Sequence, residues 1–321
     1  MILLCGIPTE GPLALAIAAL EEIGAEFLVF NQRKFASTEF SFRIVGGAVS
    51  GALEYEGRSY PAEAFDGAYI RFMDHRMLPE LAKEKPGSAL RRHADNLHDA
   101  LTRWLEIAPL RAVNRMSPMC SNSSKPYQAQ LIRRCGLGIP DTLISSDPAS
   151  IRAFSSEHGR VIYKSTSGVR SVVQTLGDAD LARLERVRWC PTQFQQYLPG
   201  TDIRVHVVGT EVFATAIESS ATDYRYAQAQ VGKPAELKPV ELSDELSGTC
   251  VRLAAELGLA FAGIDLKITP EGETYCFEVN PCPGYSYYEN NTGQRISLAL
   301  ARYLAGQQRN AAERTEELVG R

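Results

Sequence analysis

The sequence is poor in the residues and patterns that most often announce chemistry. Its seven cysteines (5, 120, 135, 190, 250, 276 and 282) form no C-x-x-C pair, so they read as free thiols, as expected of a cytoplasmic protein. Five histidines (75, 93, 98, 158 and 206) are dispersed. No Ser-His-Asp or Cys-His arrangement is legible, and no base stands beside a cysteine. Charge of one sign is lacking too: 34 Lys and Arg face 38 Asp and Glu, a net −4. That excludes a general nucleic-acid footprint. No apolar run reaches transmembrane length, and "MILLCGIPTEG" has no charged segment ahead of its apolar residues. It reads as a buried first strand. The loop "GIPTEGP" has two glycines but matches neither nucleotide fingerprint.

What is present is α/β patterning over 321 residues, room for two or three subdomains. "MILLCGIP…GPLALAIAALEEIGAEFLVFN" is strand, helix, strand. A small β-meander, "FRIVGG…SGALEYEGRSYP", and a strand, "GAYIRF", follow, and an amphipathic helix over 90–110 closes this first domain. The polar "AVNRMSPMCSNSSKPYQ" marks a boundary near 115. Beyond it come helix "KPYQAQLIRRCG", strand "DTLISS", helix "PASIRAFSSEHG", strands "RVIYKSTSG" and "SVVQTL", and a helix at "LARLERVRW". Three strands in 192–220, a helix "SDELSGTCVRLAAELGL", a hairpin and a last helix "ISLALARYLAG" complete the chain. The expected division is 1–114, 115–190, 191–306 and a polar tail, 307–321.

The hairpin carries the chemistry. "FAGIDLKIT" and "TYCFEVN" flank the turn signal "PEGE". A turn centred between Glu271 and Gly272 sets Asp265 directly opposite Glu278, and alternation puts Asn280 on the same face. Ile264, Leu266, Ile268, Tyr275, Phe277 and Val279 then form the core row. A three-residue loop would shift this register. Two facing carboxylates repel unless a cation or proton lies between them. Oxygen ligands without a His or Cys cluster favour a hard cation such as magnesium. The plainer alternative is an exposed polar face on an edge hairpin.

Three more constellations fit a phosphorylated ligand. Lys164 ends "VIYK" and enters the Ser/Gly loop "STSGVRS", where an ammonium and backbone N–H groups can meet phosphates; a snorkelling strand-end lysine is the alternative. Lys125 sits in "SNSSKPYQ", just before the Pro126 that suits a first helical turn. "QFQQYLPGTDIRVHVVG" offers backbone and amides at 196–198 for an adenine edge, Asp202 for ribose hydroxyls, and Arg204 on the same face as Asp202. Arg71, Asp74, His75 and Arg76 in "YIRFMDHR" bind a carboxylate or form a structural ion-pair cluster. "YSYYENNTG" reads as a Tyr-rich loop shaping an acceptor pocket, or as a packed aromatic corner.

Together these motifs, in the order Lys125, Lys164 with its loop, "QQYLPGTDIRVHVVG", "DYR", "GIDL", "FEVNPCPG" and "TGQRISLALARYL", resemble the ATP-grasp superfamily. The nearest likeness is to its RimK-like branch, which holds ribosomal-protein glutamate ligases and graspetide peptide ligases. The resemblance covers about 112–305 and implies an ATP-grasp fold behind an N-terminal pre-grasp α/β domain. It implies ATP and Mg2+ as cofactors. Lys125 and Lys164 would be phosphate lysines, Gln196 and Leu198 the adenine hinge, and Asp202 the ribose acceptor. Asp265, Glu278 and Asn280 would be the magnesium triad, with Arg204 and Arg225 serving the γ-phosphate and acyl phosphate. Two departures stand out: Gln196 replaces a usual Glu, and the loop after Lys164 has one glycine, so Arg170 is expected to help cover the phosphates. The implied activity is a carboxylate–amine ligase working through an acyl phosphate and releasing ADP. A phosphotransferase to a hydroxyl, or a non-catalytic nucleotide-binding regulator, are the alternatives. The expected partners are a small-molecule or peptide carboxylate and an amine acceptor, with no nucleic acid and no membrane; a homo-oligomer is left open.

Overall fold

The computed structural model describes residues 1–165, 173–219 and 232–307. The first sheet is parallel, ordered β2 (Phe27–Asn31), β1 (Ile2–Gly6), β6 (Gly67–Ile70), β7 (Arg111–Val113). Side-chain alternation splits β1 between two cores. Leu3 and Cys5 face a cluster with Phe30, Leu97, Leu101 and Trp104; Ile2 and Leu4 face one with Leu13, Leu20, Leu300 and Leu304. Burial on both faces is what the continuous apolar run ILLC requires. Helix α1 (Gly11–Glu22) carries Pro12 in its first turn and is followed by Gly24 at φ +64°. Helix α2 (Ala89–Ile107) starts where the Ser88 Oγ accepts from the Arg91 N–H. The meander β3 (Glu39–Val45), β4 (Ala48–Tyr55), β5 (Arg58–Pro61) packs on this layer.

A second sheet, ordered β10 (Gln174–Thr175), β9 (Val161–Ser165), β11 (Thr192–Gln196), β8 (Thr142–Ser145), packs around Ile151, Val161, Leu184 and Phe194. The third is antiparallel: β14 (Glu236–Val240), β13 (Glu211–Glu218), β12 (Thr201–Val208), β15 (Phe261–Ile268), β16 (Thr274–Asn280). Helices Lys125–Arg134 and Asp244–Glu256 cover one of its faces through Ile132, Cys250 and Leu253. The last helix, Ile296–Ala305, returns to the first sheet and joins the cluster of Ile2 and Leu4.

Some local expectations change. "LARLERVRW" divides into a short helix Asp178–Ala182 and a 3₁₀ segment Leu184–Trp189. Only Gln174–Thr175 of "SVVQTL" is strand among the described residues. The strand Glu236–Val240 has no counterpart in the sequence reading, because Lys-Pro within an edge strand reads as a turn. The Tyr-rich segment is a helix, Ser286–Thr292, with Tyr285 and Tyr288 buried and the Tyr285 hydroxyl donating to the Pro12 carbonyl at 2.6 Å. It is the packed aromatic corner, and only Tyr287 is left substantially exposed.

Candidate active site

The hairpin β15–β16 reaches the expected pairing by an unexpected route. Its turn is shifted: Thr269 donates to the Glu273 carbonyl at 2.9 Å, and Ile268 pairs with Thr274. That register alone would not bring the two acids together. A β-bulge at Phe277 inserts one residue, and beyond it Asp265 pairs with Glu278 and Gly263 with Asn280. The bulge also corrects the core row. Cys276 and Val279 are buried, whereas Tyr275 and Phe277 are only partly so, and Lys267 Nζ lies 6.0 Å from the Phe277 ring.

The facing carboxylates are each balanced by a cation. Glu278 Oε2 lies 2.7 Å from Lys125 Nζ, and Asp265 Oδ1 lies 2.5 Å from Arg204 Nη1. Arg204 is the cross-strand partner of Asp265 on β12, so Arg204, Asp265 and Glu278 form one row across three strands. Burial pushes the Glu278 carboxyl up, but Lys125, then Lys164 and Arg204, pull it further down, and it ends below its usual value. Asn280 Oδ1 accepts from the Cys282 N–H at 3.0 Å, which turns the carboxamide toward the following loop. Asp265, Glu278 and Asn280 are an all-oxygen donor set on one face, and this chemistry fits a hard divalent cation. Among the described residues no group of three His, Cys, Asp or Glu side chains forms a competing metal site.

Gly263 shapes this row. A Cβ there would lie 2.3 Å from Arg204 Nη2 and 2.8 Å from the Pro283 Cβ, so only glycine lets the guanidinium cross the sheet toward Asp265. Gly200, at φ +138°, lets the chain before β12 pass close to the backbone of β15, where a Cβ would meet the Ile268 carbonyl at 2.2 Å.

The adenine-hinge candidates fall between the second and third sheets. The Gln196 and Tyr197 N–H groups already donate, to Asp141 and Arg160 carbonyls at 2.9 and 3.1 Å. The Leu198 N–H has no protein partner among the described residues, so it and the Gln196 carboxamide remain for a ligand. Arg160 stacks on the Tyr197 ring at 3.6 Å. Asp202 Oδ1 lies 3.1 Å from Lys267 Nζ, its cross-strand partner, and Lys267 is largely buried. Lys164, opposite Gln193 at the end of β9, is close enough to act on Glu278. The structure therefore brings Lys125, Arg204, Asp265 and Glu278 together, with the charge of Lys164 acting on Glu278. Arg170 and Arg225 lie outside the described residues.

Sequence reasoning missed Lys267, Gln128 and Asn114. Lys267 carries a signal, being two residues beyond Asp265 and hence on the same face. Asn114 and Gln128 act on main chain: Asn114 bonds Ala260, Phe261 and Pro281, and Gln128 bonds Val279. No side-chain motif announces such contacts.

Arg71 is a strut. Its Nε donates to Glu10 Oε2 at 2.8 Å and its Nη1 to the Pro283 carbonyl at 3.2 Å, tying β6 to the loop after Asn280. Beside it a cavity of about 400 Å³ opens at the C-terminal end of β6, with Asp74, His75, His98, Met116 and Cys282 in its wall. His75 Nε2 lies 2.7 Å from Asp95 Oδ1, and its ring stacks on His98 at 4.3 Å. His206, by contrast, is fully buried between Phe261 and Tyr288.

A lysine-bearing lobe over an antiparallel sheet that displays acids, an amide and an arginine is the layout of an ATP-grasp enzyme. A family model described as RimK-like ATP-grasp domain matches residues 123–304. The chain belongs to the RimK-like ATP-grasp family. It is 24% identical over 226 residues to a probable alpha-L-glutamate ligase of Vibrio atlanticus (67% of this chain, 74% of the relative). To a probable alpha-L-glutamate ligase of Picosynechococcus it is 27% identical over 223 residues (66% and 72%). Among solved structures, a Chryseobacterium gregarium RiPP-associated ATP-grasp ligase in complex with ADP and a leader and core peptide superposes with TM-score 0.82 at 21% identity, covering 96% of this chain and 97% of that one. The ATP-grasp ligase PsnB, complexed with a phosphomimetic variant of its minimal precursor, Mg and ADP, gives 0.76 at 26% identity, covering 96% and 98%. The protein is an ATP-grasp ligase, and PsnB, the neighbour at 26% identity, was solved with Mg and ADP. No helix of the described residues is long and apolar enough to cross a membrane.

Proposed function

We propose that the protein activates a carboxylate of a peptide substrate as an acyl phosphate and joins it to an amine in amide linkage. The carrying observation is the row Arg204–Asp265–Glu278 completed by Lys125. It places cations and an all-oxygen acidic set around one point, and no side-chain nucleophile is needed. The likeness to PsnB, a ligase solved with its precursor peptide, supports the peptide class. So does the cavity at the end of β6, where ligands gather in open parallel sheets.

In this reading Lys125 and Lys164 receive phosphate oxygens, the Gln196 carboxamide and Leu198 N–H read the adenine edge, and Asp202 accepts from ribose hydroxyls. Asp265, Glu278 and Asn280 hold magnesium, which when bound neutralises phosphate charge and makes the γ-phosphoryl electrophilic. The substrate carboxylate oxygen bonds to the γ-phosphorus as the bond to ADP breaks. The amine then attacks the acyl carbon, the carbon–oxygen bond to phosphate breaks, and the amine gives up a proton. Arg204 meets the charge that grows on the transferring oxygens; its pairing with Asp265 fixes its direction beforehand. Arg225 and Arg170 keep the roles the family likeness implies. The functional units are 1–114, 115–190 and 191–306, with a tail over 307–321, and the protein acts in the cytoplasm on a carboxylate and an amine acceptor.

Product analysis tests the reaction class. With ATP, magnesium and a peptide substrate, chromatography should show ADP and phosphate, absent in Asp265→Asn. AMP with pyrophosphate would contradict the reading.

A further inference from the structure

The strand that carries Glu278 and Asn280 is the edge of its sheet, and its outer side is closed residue by residue. Near the turn, Gly138 donates to the Thr274 carbonyl at 3.1 Å and accepts from the Cys276 N–H at 2.8 Å. The bulge at Phe277 then changes which backbone groups point outward, so that Val279 presents both its N–H and its C=O to the open edge. Gln128 meets both: its Oε1 accepts from the Val279 N–H and its Nε2 donates to the Val279 carbonyl, each at 2.8 Å. At the next outward carbonyl, Pro281, Asn114 Nδ2 donates at 2.6 Å.

A carboxamide holds a donor and an acceptor side by side, as a peptide group does. Gln128 thus replaces a neighbouring strand at a single residue. That residue lies between Glu278 and Asn280, and fixing its two peptide groups fixes the direction of both flanking side chains. Gln128 is 1% exposed, and an apolar residue in its place would leave both Val279 groups buried and unpaired. It also lies three positions after Lys125 on one helix, so one rigid element grips Glu278 by its carboxylate and Val279 by its backbone.

We infer that Gln128 is a positioning residue for the magnesium site, locking the helix Lys125–Arg134 to β16 so that Lys125, Glu278 and Asn280 keep one geometry. The inference rests on the assignment of Glu278 and Asn280 to magnesium made above.

The test compares Gln128→Met with Ile132→Val, a buried change in the same helix that touches the core instead of the strand edge. ADP binding is titrated against magnesium by calorimetry, well below the melting temperature of either variant. Hydrogen exchange of peptides spanning 274–284 is followed in the ligand-free proteins. Gln128→Met should raise the magnesium half-saturation by roughly tenfold or more, the usual cost of losing an outer-shell partner, and speed exchange around 278–281. Ile132→Val should match the wild type in both. If Gln128→Met does not fold, Gln128→Asn draws the same amide one methylene back and should shift the midpoint in the same direction. Unchanged midpoints in a folded Gln128 variant overturn the positioning role while leaving the site intact. Magnesium-independent ADP binding by the wild type overturns the site assignment itself.

Discussion

Arg204 lies in the space that a side chain on Gly263 would fill: a Cβ at that position would be 2.3 Å from Nη2. The glycine and the arginine belong to neighbouring strands, and their fit directs the guanidinium onto Asp265. Gly263→Ala should therefore displace Arg204 and lower kcat by roughly a hundredfold, the scale expected of an ångström-level misplacement. The nucleotide KM should move far less. Steady-state kinetics check this, and near-normal kcat would show that Arg204 tolerates another course.

Asp265→Asn and Glu278→Gln should each fold and lose on the order of a hundredfold or more in activity. Far-UV circular dichroism with ATP turnover separates the two effects. Turnover close to wild type in either variant would return these residues to a polar sheet edge.

Lys164→Ala should weaken ADP binding with little change in melting temperature. Lys125→Ala should do the same and, in addition, cost some stability. It leaves Glu278, three-quarters buried, without its 2.7 Å partner. Equal melting temperatures for the two variants would contradict the distinction.

His206 gives a pH dependence of known sign. Burial, helped by Arg204, holds its imidazole well below the ordinary 6.5. Neither ring nitrogen has a partner among the described residues. The folded state refuses a proton that the unfolded chain accepts, so stability is complete above pH 6.5 and falls as pH drops, by about 1.4 kcal/mol per unit, until the folded value is reached. His206→Leu removes this slope. Its melting temperature should exceed the wild type's by more at pH 5.5 than at pH 8, with activity at pH 8 retained. Parallel pH profiles would refute the account.

Much of the site was legible because strand alternation is a strict rule. Glu278 and Asn280 share a face by period two, the pairing of Asp265 with Glu278 is read from an assumed turn, and Lys164 is read from a strand entering a Ser/Gly loop. The details that were not legible depend on backbone. The hairpin turn has the shifted register that should have separated the acids, and the Phe277 bulge restores their pairing; nothing in "TYCFEVN" marks a bulge. Tyr285 and Tyr288 read as a loop because their burial comes from helices distant in sequence. Gln128 and Asn114 pass as ordinary polar residues until their main-chain partners are in view.

The most direct test is interception of the activated carboxylate. Enzyme, magnesium and ATP are incubated with candidate peptide and small-molecule carboxylates in the presence of hydroxylamine, which captures acyl phosphates whatever the natural amine is. The account predicts a hydroxamate formed in step with ADP, and lost in Asp265→Asn. Phosphate transfer to hydroxyl compounds with no hydroxamate from any carboxylate would contradict it.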